Sequence, residues 1–459
     1  MKHTALALSA CAAAMIVATP ALAEDVPPEV QSELEELRTR VQTLEAMVTQ
    51  LVGEQTEVAQ QAADASAAAV AAQTAATEAS EAVAAAPRTT MGAAPRVRTA
   101  SGWDFRPFGR VQYDLGYVSG RDRLMDPGLG WSNELRRGRI GVRGEIPGGF
   151  GYKIEVDFAD NDVTLTDALI SYETGNVTVT AGQHNNFQSL EELTSSRFTS
   201  FIERAAFTDA FGFERRVGLS VNYANGDFRW DGGVFTANID DLTSDENDGY
   251  SFDTRAVYSP ELGGAQLHFG GSLHWRDLQS QPGGRYRQRP LVHSTDTRLI
   301  ATPTLPVTEE TSYGLEAAVI SGRFHAVAEV HWLEAELFGM DDPTFFGGYA
   351  EAGFFLTPGD SRGYSGGKFN RTRPARTVDE GGIGAVQINV RYDYLDLNDA
   401  GVVGGQQNLI GASVIWTPID HARLSLTYGH VEYDDAAIPA GLDRDYSVDV
   451  FGVRAEVDF

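Results

Sequence analysis

The closing segment of the chain alternates strictly. Its odd positions read Phe451, Val453, Ala455, Val457 and Phe459, and its even positions read Gly452, Arg454, Glu456 and Asp458. A strand of this sequence has one apolar and one charged face, because successive side chains point to opposite sides. Similar segments recur upstream, and no long apolar helix accompanies them. Alternation without such a helix is the signature of a β-barrel in a bilayer, which hides its polar half in a lumen.

Composition agrees with this reading. A chain of 459 residues is too long for one ordinary compact domain. Glycine is abundant at 48 residues and aromatics reach 10%. The mean hydropathy of -0.23 is far below that of a helical membrane protein. A formal charge of -28 argues against a nucleic-acid partner. It does not fix the sign of a channel wall, which depends on which strand positions face inward.

Residues 1–23 read as a signal peptide: Lys2 supplies charge, Ala5 to Ala18 an apolar core, and Ala21-Leu22-Ala23 a cleavage site. A competing reading makes Cys11, after Leu8-Ser9-Ala10, a lipidated cysteine. Cleavage after Ala23 would leave no cysteine, and so no disulfide or thiol chemistry.

Residues 24–58 are expected to form a periplasmic coiled coil. Leu34, Leu37, Val41, Leu44, Val48 and Leu51 recur at alternating spacings of three and four, a seam that winds helices around one another. A solitary amphipathic helix on a globular surface is the alternative. Residues 59–102 read as an alanine-rich helix and linker, with Pro87 and Pro95 as breaks.

Residues 103–459 divide into sixteen alternating segments, near 103–119, 133–146, 150–159, 163–173, 176–183, 214–224, 227–237, 250–259, 264–274, 310–319, 322–335, 345–357, 382–396, 406–417, 421–432 and 446–459. Short Gly- or Pro-containing connections fall at every second junction, with longer polar loops between them. Residues 358–381 are the exception, long at a turn position. The fold class is therefore an all-β membrane protein: a 16-stranded antiparallel transmembrane β-barrel preceded by an α-helical coiled coil. An even strand number returns the C-terminus to the periplasmic side, where the stalk begins.

Parity assigns the faces. Ile140, Val142 and Ile146 oppose Arg137, Arg139, Arg143 and Glu145 on one strand. Val217, Leu219 and Val221 oppose Arg216, Ser220 and Asn222 on another. An arginine facing lipid at mid-depth costs about 2–4 kcal/mol, so the arginine face is the lumen. Tyr113, Tyr117, Trp332, Tyr392, Tyr394 and Tyr428 suit interface girdles.

Several stretches resemble the phosphate-selective porin O and P family: Arg136-Arg137-Gly138-Arg139-Ile140-Gly141, Phe187 to Arg204 (FQSLEELTSSRFTSFIER), Arg285 to His293 (RYRQRPLVH), and Arg391 to Asn398 (RYDYLDLN) with Gly404, Gly405 and Asn408. A terminal Phe459 is likewise similar to the ending of bacterial outer-membrane barrels. The resemblance spans 103–459 and implies a trimeric, anion-selective porin with sixteen strands; Phe187 to Arg204 is similar to the family's inward-folding third loop and Arg285 to His293 to its fifth-loop motif, and the two loops would narrow the pore if both fold inward. Here those loops are 184–213 and 275–309. The chain departs from the family in its lysines, which are only Lys2, Lys153 and Lys368. The lysine cluster of members that prefer phosphate is absent in that form.

The anion path is then expected to run along Arg106, Arg110, Arg137, Arg139, Arg143 and Arg216 of the wall. Arg197 and Arg204 of the third loop would stand at the constriction, and Arg285, Arg287 and Arg289 would act from the fifth. Guanidinium groups replace lost hydration with paired hydrogen bonds to oxyanions. The competing reading is a structural lattice, in which lumenal arginines pair with Asp114, Glu155, Asp157 and Asp167. Glu191 and Glu192 are read as tuning ion flow or pairing with Arg197.

No catalytic residue, metal site or cofactor is expected. The acidic stretch Asp240, Asp241, Asp245, Glu246, Asp248 lacks the spacing of a calcium loop. His325 and His331 stand too far apart on one strand for a joint metal site. No hydrolase triad or nucleotide loop is present. The expected partners are outer-membrane lipid, small anions, two further copies in a homotrimer, and the cell wall through the stalk. The alternative function is a mainly structural outer-membrane protein tethered to the wall by that stalk.

Overall fold

The computed structural model describes residues 27–120, 123–159, 162–241, 249–279 and 283–459. The expected signal peptide, Cys11, and acidic residues Asp245, Glu246 and Asp248 lie outside the described residues. The chain forms two units, divided after Ala85.

The first unit is one helix, α1 (Pro28–Ala85). It runs without a break past residue 58 and through the alanine-rich stretch, where helix propensity is highest. Leu34, Leu37, Val41, Leu44, Val48 and Leu51 are all exposed along it. No helix among the described residues is long and apolar enough to cross a membrane.

The second unit is a closed antiparallel barrel of sixteen strands. They are β1 (Asp104–Val118), β2 (Gly130–Ile146), β3 (Phe150–Asp157), β4 (Thr164–Thr174), β5 (Val177–Asn185), β6 (Arg215–Asn225), β7 (Phe228–Phe235) and β8 (Tyr250–Tyr258). They continue as β9 (Ala265–Asp277), β10 (Val307–Ser321), β11 (Phe324–Leu337), β12 (Thr344–Phe355), β13 (Ala385–Asp399), β14 (Val402–Ile419), β15 (Ala422–Asp434) and β16 (Tyr446–Asp458). Each strand pairs with the next, and β16 closes on β1 from Val450↔Val118 to Asp458↔Arg110. Closure leaves no edge, which a bilayer requires. Within the linker, Arg88–Met91 and Pro95–Arg98 form a hairpin whose Val97 and Arg98 pair with the start of β1.

The faces fall as parity requires. Val111, Ile140, Leu219, Leu315 and Ile410 point outward and are exposed, whereas Gln112, Asp114, Arg216 and Ser220 are buried inside. A contiguous apolar surface of this extent is a lipid-facing band. Tyr313, Trp332, Phe346 and Tyr394 form a row across β10 to β13, with ring centroids 5.3–6.0 Å apart. Such rows mark an interface girdle.

Two connections differ from expectation. The loop expected over 397–405 reduces to Ala400 and Gly401, because β13 and β14 continue pairing to Asp399↔Val402. A bulge between Asp396 and Asn398 absorbs the irregularity. The long segment after β12 does not hang from the turn end. Its hairpin, Gly363–Ser365 with Lys368–Asn370, enters the barrel. There the Arg255 guanidinium donates to the Gly367 carbonyl at 2.9 Å, and Arg362 lies 3.8 Å over the Phe369 ring.

Residues 186–214 (loop 3) and the described part of the segment between β9 and β10, 283–306 (loop 5), also fold inward. Loop 3 carries two short helices, α2 (Leu190–Leu193) and α3 (Ala206–Ala210). It reaches β11, where the Glu329 carboxylate accepts from Ser189 Oγ (2.8 Å) and from the backbone N–H of Leu190 (2.9 Å) and Glu191 (2.8 Å). The Ala206 N–H donates to Asp393 on β13 at 2.9 Å. Loop 5 crosses to β2, where Ser294 meets Ser132 (2.7 Å) and His293 meets Glu134 (2.9 Å). The wall makes room for both loops. A Cβ on Gly452 would stand 2.0 Å from Ile202 Cδ1, and one on Gly116 would stand 2.4 Å from Ser294 Oγ.

Replacing Glu329 by Ala would leave three buried loop 3 donors without their acceptor, each costing about 1–3 kcal/mol. The expected outcome is release of α2 from the wall and a larger single-channel conductance in planar bilayers. An unchanged conductance would show that other contacts hold the loop.

Candidate pore constriction

Cavities follow one another through the barrel and share lining residues. One near loop 5 is bordered by Arg216, Arg285, Arg287 and Arg298, with Asp209 and Glu214. It shares Asp209 and Glu214 with a second cavity, which adds Arg136, Glu203 and Arg289. The second meets a third at Glu192 and Arg204 of loop 3. The third, about 300 Å³, is bordered by Arg110, Arg137, Arg139, Arg197, Arg215 and Lys368. It shares Arg143 and Lys153 with a fourth at the turn end, which reaches Arg106 and Glu145. All eleven expected arginines thus border this series.

Their pairing separates them. Arg106 bonds Asp104 (2.7 Å) and Glu145 (2.9 Å) at the turn-end rim. Arg110 is buried on Glu155 (2.9 Å), with Ser195 and Ser196 of loop 3 at 3.2 Å. Arg139 holds Asp157 at 2.6 Å, and Arg197 holds Asp458 at 2.7 Å. Arg204 donates to the carbonyls of Glu191, Glu192 and Thr194 at 3.0–3.1 Å and clamps loop 3 onto itself. Arg216 lies 3.5 Å from Glu214, while its Nε and Nη1 lack partners among the described residues. Arg285 donates to the Thr302 carbonyl (3.0 Å), and Arg289 to Thr295 O (2.8 Å) and Asp296 (3.1 Å). Arg287 is exposed beside them.

Arg137 and Arg143 differ from the acid-paired arginines of the wall and loop 3. Arg137 donates only to Gln112 Oε1, at 3.1 Å. Arg143 stacks over Phe108, 5.3 Å from the ring centroid. Among the described residues, neither has a carboxylate within 4.0 Å. The expected lattice is therefore present; Arg137 and Arg143 stand outside it in the cavity beneath loop 3, as Arg285 and Arg287 do beside loop 5. Of its acids, Asp114 pairs with Arg454 (2.7 Å), and Asp167 with Lys153 (2.5 Å) and Arg215 (3.0 Å).

The expected pairing of Glu191 or Glu192 with Arg197 does not form. Glu191 meets Arg391 at 2.7 Å and Glu192 meets Arg204 at 3.3 Å, since α2 turns both acids away from Arg197. Burial raises the Glu192 carboxyl above its ordinary range, against the pull of Arg204. Glu203 behaves oppositely. Despite its burial, Arg136 and Arg454 hold its carboxyl well below the usual carboxylate range.

Parity reasoning missed Arg136. A bulge between Gln112 and Tyr113 turns it inward beside Arg137, onto Glu203 at 2.9 Å. It missed Lys368 because nothing in residues 358–381 marks them as inward-folding except their length at a turn position. It missed Arg298, whose Nε and Nη1 are unpartnered among the described residues in the loop 5 cavity. Enclosure there lowers the Arg298 guanidinium to about 10.

A closed sixteen-stranded barrel with an apolar belt and a series of cavities lined by charged side chains is an outer-membrane porin. The chain belongs to the phosphate-selective porin O and P family, whose model matches residues 105–459. It is 46% identical over 475 aligned residues to an uncharacterized protein of Caulobacter vibrioides, covering 99% of this chain and 96% of that one. Among solved structures it is similar to an anion-selective porin from Comamonas acidovorans, with a TM-score of 0.50 and 11% identity over 78% of this chain and 100% of that one. It is also similar to the trimer form of OmpT, an outer membrane protein of Vibrio cholerae, with a TM-score of 0.50 and 10% identity over 78% and 99% of the two chains. At these identities the two structures speak for the fold.

The two classes of arginine predict different stabilities. Arg454→Ala strands the buried Asp114 and leaves Glu203 to Arg136 alone, and is expected to cost about 3–5 kcal/mol. Arg143→Ala breaks no ion pair and is expected to cost within about 0.5 kcal/mol. Denaturant midpoints of the two purified variants in detergent check both values.

Proposed function

We propose that this porin conducts small anions passively, phosphate among them, with Arg137 and Arg143 as its principal anion contacts. The observation that carries the reading is their place in the cavity beneath loop 3 without a carboxylate partner. A cation compensated by a fixed acid offers little to a passing anion, whereas these two offer free donors. Paired arginines such as Arg110, Arg139 and Arg197 contribute positioning and partial charge. Entry is favourable and release stays fast when sites are several and modest.

The assembly we propose is a homotrimer with a periplasmic stalk. The exposed heptad seam of α1 supports a coiled coil, and three copies suit a porin, as in the trimer form of the OmpT neighbour. The stalk then serves as a contact to the cell wall. Residues 1–23 act as the export signal in this reading. Diffusion through the lumen makes and breaks no bond, so no catalytic residue or cofactor is required.

The test is the zero-current potential of the purified protein in a planar bilayer under a KCl gradient. The expected sign is that of chloride preference, reduced in the Arg137→Ala, Arg143→Ala double variant. A wild-type potential of the potassium-selective sign would mean that Glu192, Glu203 and Asp209 set the field, and would overturn the reading.

A further inference from the structure

Two cavities of the lumen meet at one pair of side chains. Glu192 and Arg204 of loop 3 border both the cavity that holds Arg136 and Glu203 and the arginine cavity beneath loop 3. An ion moving from one cavity to the other passes this pair. The neck therefore carries one acid and one base.

The backbone of Glu192 is fixed. Its N–H donates to Ser189 Oγ at 3.2 Å, and that hydroxyl donates in turn to Glu329 at 2.8 Å. Its carbonyl accepts from Arg204 Nη2 at 3.1 Å. The carboxylate is held less well. Among the described residues its ion pair is with Arg204 Nη1 at 3.3 Å, and the other two nitrogens of Arg204 are turned to loop carbonyls. Glu203 shows the contrast, since it accepts from Arg136 Nε at 2.9 Å and from Arg454 Nη2 at 2.8 Å.

The charges that face Glu192 come from three elements. Arg204 belongs to its own loop, Arg215 to β6, and Arg137 and Arg139 to β2. Arg215 is committed to Asp167 at 3.0 Å and Arg139 to Asp157 at 2.6 Å. On the loop 5 side the same cavity is bordered by Asp209, Glu214 and His293, and His293 pairs with Glu134 at 2.9 Å. Burial raises the Glu192 carboxyl above its ordinary range, against the pull of these arginines. It takes up a proton under milder acidity than an exposed glutamate does.

Resting on the anion-porin reading above, we propose that Glu192 is a proton-operated selectivity gate at the neck of the pore. Ionised, it offsets Arg204 and lowers the preference for anions. Protonated, it leaves the neck cationic, and the preference rises as the medium is acidified. One fixed charge acts at short range through water, which sets the size of the effect at about fivefold in the chloride-to-potassium permeability ratio.

The test is the zero-current potential of the full-length protein in planar bilayers under a KCl gradient, titrated from about pH 8 to about pH 5, a range in which exposed carboxylates stay largely ionised. The wild-type ratio is expected to rise about fivefold over this range. Glu192→Gln leaves the backbone contacts in place and is expected to show the higher ratio already at pH 8, with no further rise. His293→Gln removes the histidine that borders the same cavity and is expected to keep the rise. A flat wild-type profile, a rise that persists in Glu192→Gln, or a rise abolished in His293→Gln would overturn the gate and leave the porin reading standing. A wild type that is potassium-selective at both ends of the range would overturn the porin reading itself.

Discussion

The Glu329 carboxylate is the seat on which the constriction rests. It is fully inside the barrel, and it accepts from Ser189, Leu190, Glu191 and the Tyr349 hydroxyl (2.8 Å). A buried carboxylate is costly unless its lone pairs are filled, and here loop 3 fills them. The loop is drawn across the lumen by that demand. Once it is there, Arg391 closes on Glu191 and Glu351, and Arg423 donates to the carbonyls of Arg197 and Thr199. The chain of cavities beneath and beside the loop is a consequence of where it is tied.

Charge in the lumen has two populations. Most arginines are locked to acids: Arg454 to Asp114 and Glu203, Arg255 to Glu316, Arg391 to Glu191 and Glu351. Removing either partner of such a pair leaves a buried charge exposed to a poor dielectric, so these pairs rigidify the wall. A smaller set, Arg137, Arg143 and Lys368 beneath loop 3 with Arg285, Arg287 and Arg298 beside loop 5, has no acid partner among the described residues. An overall charge of -28 is compatible with a cationic constriction because the acids of the wall are already spent on the lattice, and many others lie elsewhere in the chain.

The barrel was legible because lipid and lumen impose a period of two on every strand. That is why all sixteen strands, the inward arginines and the outward aromatic row could be read from parity. Parity failed where a bulge shifts it, as at Arg136, and where pairing outlasts the polar composition, as between Asp396 and Val402. The partners of the inward loops were not legible at all. Ser189 and Glu329 are 140 positions apart, and nothing local in either segment names the other. The same holds for Glu191, whose nearest arginine in sequence, Arg197, is not the one it meets. Lys368 was visible only as a rare lysine in a segment too long for its place.

The measurement that reaches the central claim most directly is anomalous diffraction from crystals of the full chain soaked in bromide. Bromide reports where an anion rests without assuming that it permeates. The account predicts the strongest lumenal peak in the cavity bordered by Arg137, Arg143 and Lys368, below loop 3. Bromide confined to the rim and loop 5, with that cavity empty at saturating concentration, would contradict it.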